Sequence, residues 1–216
     1  DRASPAVWFE SPKVFFAIRW WTLALQQVAF RASAPVGVPC RSFVTLSGGY
    51  HLRTQRLSCA LKTTEVPLTA CGPVIKRYAP PQLQDGVLRL DLRLMRAPRA
   101  ASLITGRIEG TQLWWNQPPL QARADLLIEG TVSIPPGAEA QPTVDLVLSL
   151  RHGAVSGVPS LGELTDLEGS GRITNNRLEV THLTGAALQS RWRLEGTLEP
   201  LTHPSMELLV SAPVQL

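Results

Sequence analysis

The stretch LQARADLLIEGTVSI, residues 120–134, decides how this chain is read. Leu120, Ala122, Ala124, Leu126, Ile128, Gly130, Val132 and Ile134 fall at every second position, with Arg123, Asp125 and Glu129 among the residues between. Period two sends the two sets to opposite faces of one extended strand. A strand of 15 residues is long, because five or six is usual.

The same parity recurs on both sides. In GVLRLDLRLM (86–95), Leu88, Leu90, Leu92 and Leu94 oppose Arg89, Asp91 and Arg93. Ile104 and Ile108 alternate with Gly106 and Gly110. PTVDLVLSLR (142–151) contributes Val144, Leu146, Leu148 and Leu150, and RLEV contributes Leu178 and Val180. ALQSRWRLEGTLE (187–199) places Leu188, Ser190, Trp192, Leu194, Gly196 and Leu198 on one side, and SMELLVSA adds Met206, Leu208 and Val210. One short step is written four times: Glu109-Gly110-Thr111, Glu129-Gly130-Thr131, Glu168-Gly169-Ser170 and Glu195-Gly196-Thr197. Its glycine lies on the apolar side each time. Glycine inside a strand weakens it unless the space is needed. A bend or bulge in the sheet, or close approach of another chain, would use that space, and both favour a curved sheet.

Turn residues separate the runs. Asn175-Asn176 suits a two-residue hairpin, and Pro118-Pro119 and Pro135-Pro136-Gly137 end other strands. Connections this short imply antiparallel neighbours in a meander. The chain therefore reads as all-β: a long curved antiparallel meander sheet, a β-groove, with one short helical segment near residues 72–79. Residues 1–85 hold less regular strands and that helical segment, Val74–Tyr78 closed by Pro80-Pro81; residues 86–216 hold the repeated long strands of the same elongated domain. In the first part, Val14, Phe16, Ile18 and Trp20 alternate, a turn or helical stretch is expected over residues 22–27, and residues 43–50 and 52–62 read as strands.

Composition limits the function. Hydrophobic residues make up 44% of the 216, enough for a core, while 18 prolines oppose long helices. The net charge is +4, and 18 of the 21 basic residues are Arg. These arginines alternate with acids along strands, which describes a solvated sheet face rather than a nucleic-acid stripe. No run of 18 apolar residues exists; the nearest, VFFAIRWWTLAL (14–25), is interrupted by Arg19 and Thr22. The chain opens at Asp1 with no signal peptide, which reads as a fragment of a longer or processed chain. Cys40, Cys59 and Cys71 make no C-x-x-C pair, and no metal is expected. Cys59 and Cys71 would pair as a disulfide in an oxidising compartment or remain small buried thiols.

The apolar face needs a cover. Burying each large aliphatic group contributes roughly 1.5–3 kcal/mol. A second sheet, helices, barrel closure or a ligand would serve. Helices are nearly absent after residue 83, and the six Trp form no girdles of a lipid-spanning barrel. A sandwich and a trough for acyl chains remain. Strand length and in-facing glycines lean toward the trough.

Three segments resemble a known family. LEGSGRITNNRLEVTHLTGAALQSRWRLEGTLEPLTHPSMELLVSA (167–212) resembles the repeated unit of the AsmA-like proteins of bacterial envelopes, relatives of TamB in the repeating β-groove superfamily. VPLTACGPVIKRYAPPQLQDGVLRLDLRL (66–94) resembles their segment with a short helical piece, and SPKVFFAIRWWTLALQQVAF (11–30) their N-terminal strands. The resemblance implies a periplasmic, inner-membrane-associated protein that takes part in phospholipid movement between membranes or in outer-membrane upkeep. It implies lipids and a membrane-anchored or envelope protein as partners, no nucleic acid, and no cofactor beyond bound phospholipid. The groove lining would be the set named above: Leu88, Leu90, Leu92, Leu94, Ile104, Ile108, Leu126, Ile128, Val132, Val144, Leu146, Leu148, Leu178, Val180, Leu188, Trp192, Leu194, Leu198, Met206, Leu208 and Val210.

Motifs for catalysis are not found. His51, His152, His182 and His203 stand far apart in sequence, and there is no G-x-S-x-G elbow. The expectation is a protein that is not an enzyme. A β-sandwich recognising carbohydrate or protein, and a structural subunit of a membrane-associated assembly, are the alternatives.

Overall fold

The computed structural model describes residues 13–21, 24–36, 42–71, 81–137, 141–159, 162–187, 190–200 and 205–211. Thirteen strands form one antiparallel sheet. They are β1 (Lys13–Trp21), β2 (Ala24–Val36), β3 (Ser42–His51), β4 (Arg56–Thr63), β5 (Val66–Pro67), β6 (Leu83–Arg96), β7 (Ser102–Gln117), β8 (Leu120–Ile134), β9 (Thr143–Val158), β10 (Gly162–Thr174), β11 (Arg177–Ala187), β12 (Ser190–Glu199) and β13 (Ser205–Ser211). Each long strand pairs with the next in sequence, and the two-residue β5 pairs with β6 beside β4. This is the curved all-β meander the sequence implies, and the sheet is not closed. Within the described residues, β1 and β13 are its edges.

Two details differ from the expectation. Residues 24–27 continue β2 instead of turning, because Leu25 pairs with Trp20 and Gln27 with Arg19 across the hairpin. A single 3-10 turn occupies Leu68–Cys71; the helical segment expected near residues 72–79 lies outside the described residues. Cys59 carries a free thiol, so the bridge to Cys71 weighed from the sequence is not formed. Cys59 lies in mid-strand beside Gly48 and Leu94, whereas Cys71 belongs to the connection that follows β5.

Curvature has a visible source in the backbone. Gln112, His152 and Asp166 sit at φ +51°, +50° and +51° within strands β7, β9 and β10. Each marks an extra residue: the register shifts between Gly110 and Leu113, between Arg123 and Asp125, and between Leu164 and Leu167. A further shift falls in β11 between Val180 and Leu183. The bulges of β7, β9 and β10 lie at one level of the register and form a crease across these strands, whereas that of β11 lies away from it, beside Ser170 and Gly171. A bulge bends its strand and increases its twist, so the aligned row bends the sheet across β7 to β10.

Asp125 ties this crease together. Its Oδ1 accepts a 2.7 Å hydrogen bond from the backbone N–H of Gln112, and its Oδ2 pairs with His152 Nδ1 at 2.8 Å. The Gln112 N–H, the neighbouring His152 ring and the Arg123 charge hold the Asp125 carboxyl below its ordinary range. One side chain thus satisfies the donor freed by the first bulge and holds the residue at the second.

The chain exposes 15746 Å² in all. A compact monomer of 23.6 kDa would expose about 9,800 Å². The excess fits a single layer: among the described residues the substantial contacts of each strand are with its hydrogen-bonded neighbours, and no second layer packs on the sheet. Among the described residues, only Ala34, Val66, Leu68 and Leu167 are buried as apolar core, and no large side chain is fully enclosed.

Candidate binding face

Cross-strand partners in an antiparallel sheet point to the same face. The register therefore shows directly which residues share a face. One row runs Val14, Ala32, Leu46, Leu61, Leu92, Gly106, Gly130, Leu146, Ile173, Leu178, Leu198, Met206. It crosses all twelve strands of the main path without a polar residue. At about 4.8 Å per strand its length is about 53 Å. Three further rows flank it. Leu90, Ile108, Ile128, Leu148, Gly171, Val180, Gly196 and Leu208 form one. Leu88, Gly110, Leu126, Leu150, Gly169, Leu183, Leu194 and Val210 form another. Leu94, Ile104, Val132 and Val144 form the third.

The register thus brings the residues named from sequence in β6 to β9, β11 and β12 onto one face, with Trp192 opposite Gly185 at its margin. Met206, Leu208 and Val210 join the rows through the backbone pairing of β13. Leu188 lies outside the described residues. Most of the aliphatics are half-buried, each shielded by strand neighbours and open above.

Several members of the face escape a reading by simple parity. Leu183 follows Val180 by three residues, and the bulge between them restores it to the apolar side. Leu113 returns after the shift at Gln112 in the same way. In β10, Gly169 and Gly171 hold two apolar positions, which hides Leu167 and Ile173 from a search for alternating aliphatics. Leu46 and Leu61 belong to the less patterned first part.

Glycines have two distinct uses here. Gly130 has φ +154°, and a Cβ there would meet the backbone of Asp145 and Leu146 on β9. Gly153 and Gly185 instead make room for Leu167, whose side chain stands over both. A Cβ on Gly153 would lie 2.6 Å from Leu167 Cβ, and one on Gly185 2.6 Å from Leu167 Cδ2. This accounts for Leu167 being only 6% exposed on an otherwise open face.

The opposite face is a lattice of charges. Lys62 meets Asp91 at 2.7 Å, Arg107 meets Glu109 and Glu129, and Arg172 meets Asp145 at 2.6 Å. The Arg172 hydrogen bonds hold Asp145 below the usual carboxylate range, and Glu109 with Glu129 raises Arg107. Ser170 and His182 pair across β10 and β11 at 3.0 Å. The repeated Glu-Gly step belongs to both faces: Glu109, Glu129 and Glu195 form ion pairs on the charged side, and the Gly of each step lies in the apolar rows. Trp114 and Trp115 divide likewise, pairing with Arg123 and Ala122.

Among the described residues, no helix is long and apolar enough to cross a membrane and no group of three His, Cys, Asp or Glu is placed to hold a metal ion. The chain matches no family model, no curated protein and no solved structure.

Proposed function

We propose that this chain is a non-enzymatic bacterial envelope protein that shelters lipid acyl chains on the apolar face of its curved sheet, contributing to phospholipid movement between membranes or to outer-membrane maintenance. The observation that carries the reading is the set of continuous aliphatic rows with no covering layer among the described residues. Exposed apolar patches beyond a few hundred Å² mark interaction surfaces. A lipid leaving a bilayer uncovers its tails at about 0.8 kcal/mol per CH₂, roughly 20 kcal/mol or more for two tails. A long apolar trough offsets that cost without a specific pocket. A periplasmic, inner-membrane-associated setting and a membrane-anchored or envelope protein partner complete the proposal, and it rests there on the family resemblance alone.

Native mass spectrometry with lipid extraction on the purified chain tests it. Co-purified phospholipid, lost from an Ile128→Asp variant that retains its strand content, is the expected result. A fully stable chain with a clean lipid-free mass refutes it. A second reading, a structural subunit docked on a larger assembly, is favoured by β1 and β13, the unpaired edges among the described residues, which suit strand addition.

A further inference from the structure

Two adjacent hairpins break the rule that arginines here are answered by acids. Residues 52–55 join β3 to β4, and residues 97–101 join β6 to β7. β4 and β6 pair side by side, with Leu57 opposite Arg96, so both turns lie at the same end of the sheet. From β3 to β7 that end spans about 14 Å, at about 4.8 Å per strand. Arg53, Arg56, Arg96 and Arg99 stand there, all exposed. Residues 42–64 and 92–108 contain no Asp or Glu. Among the described residues these arginines have no ion-pair partner. The first acids further along β6 and β7 are already engaged, Asp91 by Lys62 and Glu109 by Arg107.

Apolar groups are exposed among these charges. Leu52 is 37% exposed in the first turn and Met95 49% exposed at the end of β6. The second turn, Ala-Pro-Arg-Ala-Ala, has no polar side chain besides Arg99. Ile134, opposite Ser102 at the end of β8, is exposed as well. The register also divides the arginines between the faces. Arg96 pairs with Leu57 and falls on the apolar side with Cys59 and Leu94; Arg56 pairs with His51 and falls on the charged side with Ser58 and Met95. Cations therefore flank this end on both faces. A nucleic-acid backbone lying on one face would need them together there, whereas a flat anionic surface met edge-on is contacted from both sides. Exposed aliphatic groups between arginines fit the boundary of a bilayer, where apolar side chains enter and cations meet phosphates.

We infer that this end of the sheet docks on an anionic bilayer surface, with Arg53, Arg56, Arg96 and Arg99 at the lipid phosphates and Leu52 and Met95 among the first acyl carbons. The row Leu94, Ile104, Val132, Val144 begins about 7 Å inside Arg96, at about 3.4 Å per residue, so docking brings the margin of the apolar face against the bilayer. The inference rests on the charge and exposure of the two hairpins and is independent of what covers the apolar face.

The test floats the whole chain with phosphatidylcholine vesicles, with and without phosphatidylglycerol, over a range of salt, beside a binding assay on a random-sequence DNA duplex. The variants are Arg53→Gln/Arg99→Gln, Arg56→Gln/Arg96→Gln and Leu52→Gln, with Arg151→Gln/Arg191→Gln removing the same charge elsewhere. All of these residues are exposed, so the variants should keep the wild-type melting curve. The expected result is binding that requires phosphatidylglycerol and weakens as salt rises. It should be about 25-fold weaker in each double variant of the hairpins, at about fivefold per arginine. Leu52→Gln should bind about fivefold weaker, because part of a leucine's burial is lost. The Arg151→Gln/Arg191→Gln control should bind as the wild type does. Ile128→Asp, which should lose bound phospholipid, should still float, so this inference and the proposed function fail separately. Equal flotation on both vesicle types, an equal loss in the control, unchanged binding by the hairpin variants, loss of flotation in Ile128→Asp, or binding of the DNA duplex in place of vesicles overturns the inference.

Discussion

Replacing Leu167 by Ala tests how this single layer is held together. Leu167 is 6% exposed, between glycines on both neighbouring strands. Truncation removes three carbon groups, about 2.4 kcal/mol at about 0.8 kcal/mol each. The hole left behind adds a cavity term, kept small because the face is open above. The expected loss is about 2–3 kcal/mol, the low end of the range for buried leucines. Gly185→Ala brings a methyl to 2.6 Å from Leu167 Cδ2 and 2.7 Å from Trp192 Cζ2, and overpacking of that kind costs about 1–3 kcal/mol. In the double variant the new methyl enters the space Leu167 leaves, so the combined loss should fall short of the sum by at least about 1 kcal/mol. Urea denaturation followed by circular dichroism gives the totals. Hydrogen exchange of β9–β11 peptides is needed as well, since layers with only nearest-neighbour contacts unfold in pieces. A Leu167→Ala loss below about 0.5 kcal/mol, or additivity within about 0.5 kcal/mol, refutes the interlock.

Other substitutions probe the remaining parts. Gly130→Ala places a side chain at a φ that L-residues avoid and against the β9 backbone, and should cost about 1–3 kcal/mol of strain or more, read from its urea midpoint. Asp125→Ala removes the acceptor for Gln112 N–H and the His152 partner, for a loss of about 1–2 kcal/mol and faster exchange at Gln112. Because the folded carboxyl of Asp125 is held below its ordinary value, protons bind the unfolded chain more readily, and acid favours unfolding. The stability gap between the wild type and Asp125→Asn is therefore full above about pH 5 and closes as the pH falls below about 4, as urea titrations at several pH values would show. Arg107→Ala breaks exposed pairs only and should leave the urea midpoint nearly unchanged, with any difference from the wild type shrinking further as salt is added.

Much of this fold is legible because period two is a local property. Residues 120–134 form one strand over their whole length, and Asn175, at φ +53°, turns the hairpin between β10 and β11. The Asn175 side chain goes further and accepts the Val144 N–H of β9, a contact no hairpin pattern encodes. Bulges are where legibility fails. Gln112, His152 and Asp166 are ordinary polar residues, and nothing in their type announces a left-handed backbone. What selects that conformation is the neighbouring strand: the Asp125 carboxylate waiting for the Gln112 N–H, or Gly153 making room for Leu167. Parity counted along one strand therefore holds as far as its bulge and inverts beyond it, which is why Leu178 and Val180 are readable and Leu183 is not.

The relief of the apolar face bears on what would cover it. A rigid protein partner gains its affinity from knobs fitted into holes. Glycines spaced among leucines would provide such holes, yet neighbouring side chains already lean into them. Leu92 Cδ2 lies 2.8 Å from where a Gly106 Cβ would be, Leu183 Cδ1 2.9 Å from that of Gly169, and Leu167 with Trp192 closes over Gly185. The result is a low, even surface of methyl groups whose polar edge atoms are engaged by the sheet. Dispersion with such a surface depends on area and little on shape, so it rewards a conformable hydrocarbon chain as much as a matched side-chain array. That equality, together with a crease that bends the sheet across β7 to β10, weighs for a fluid occupant over a jigsaw partner.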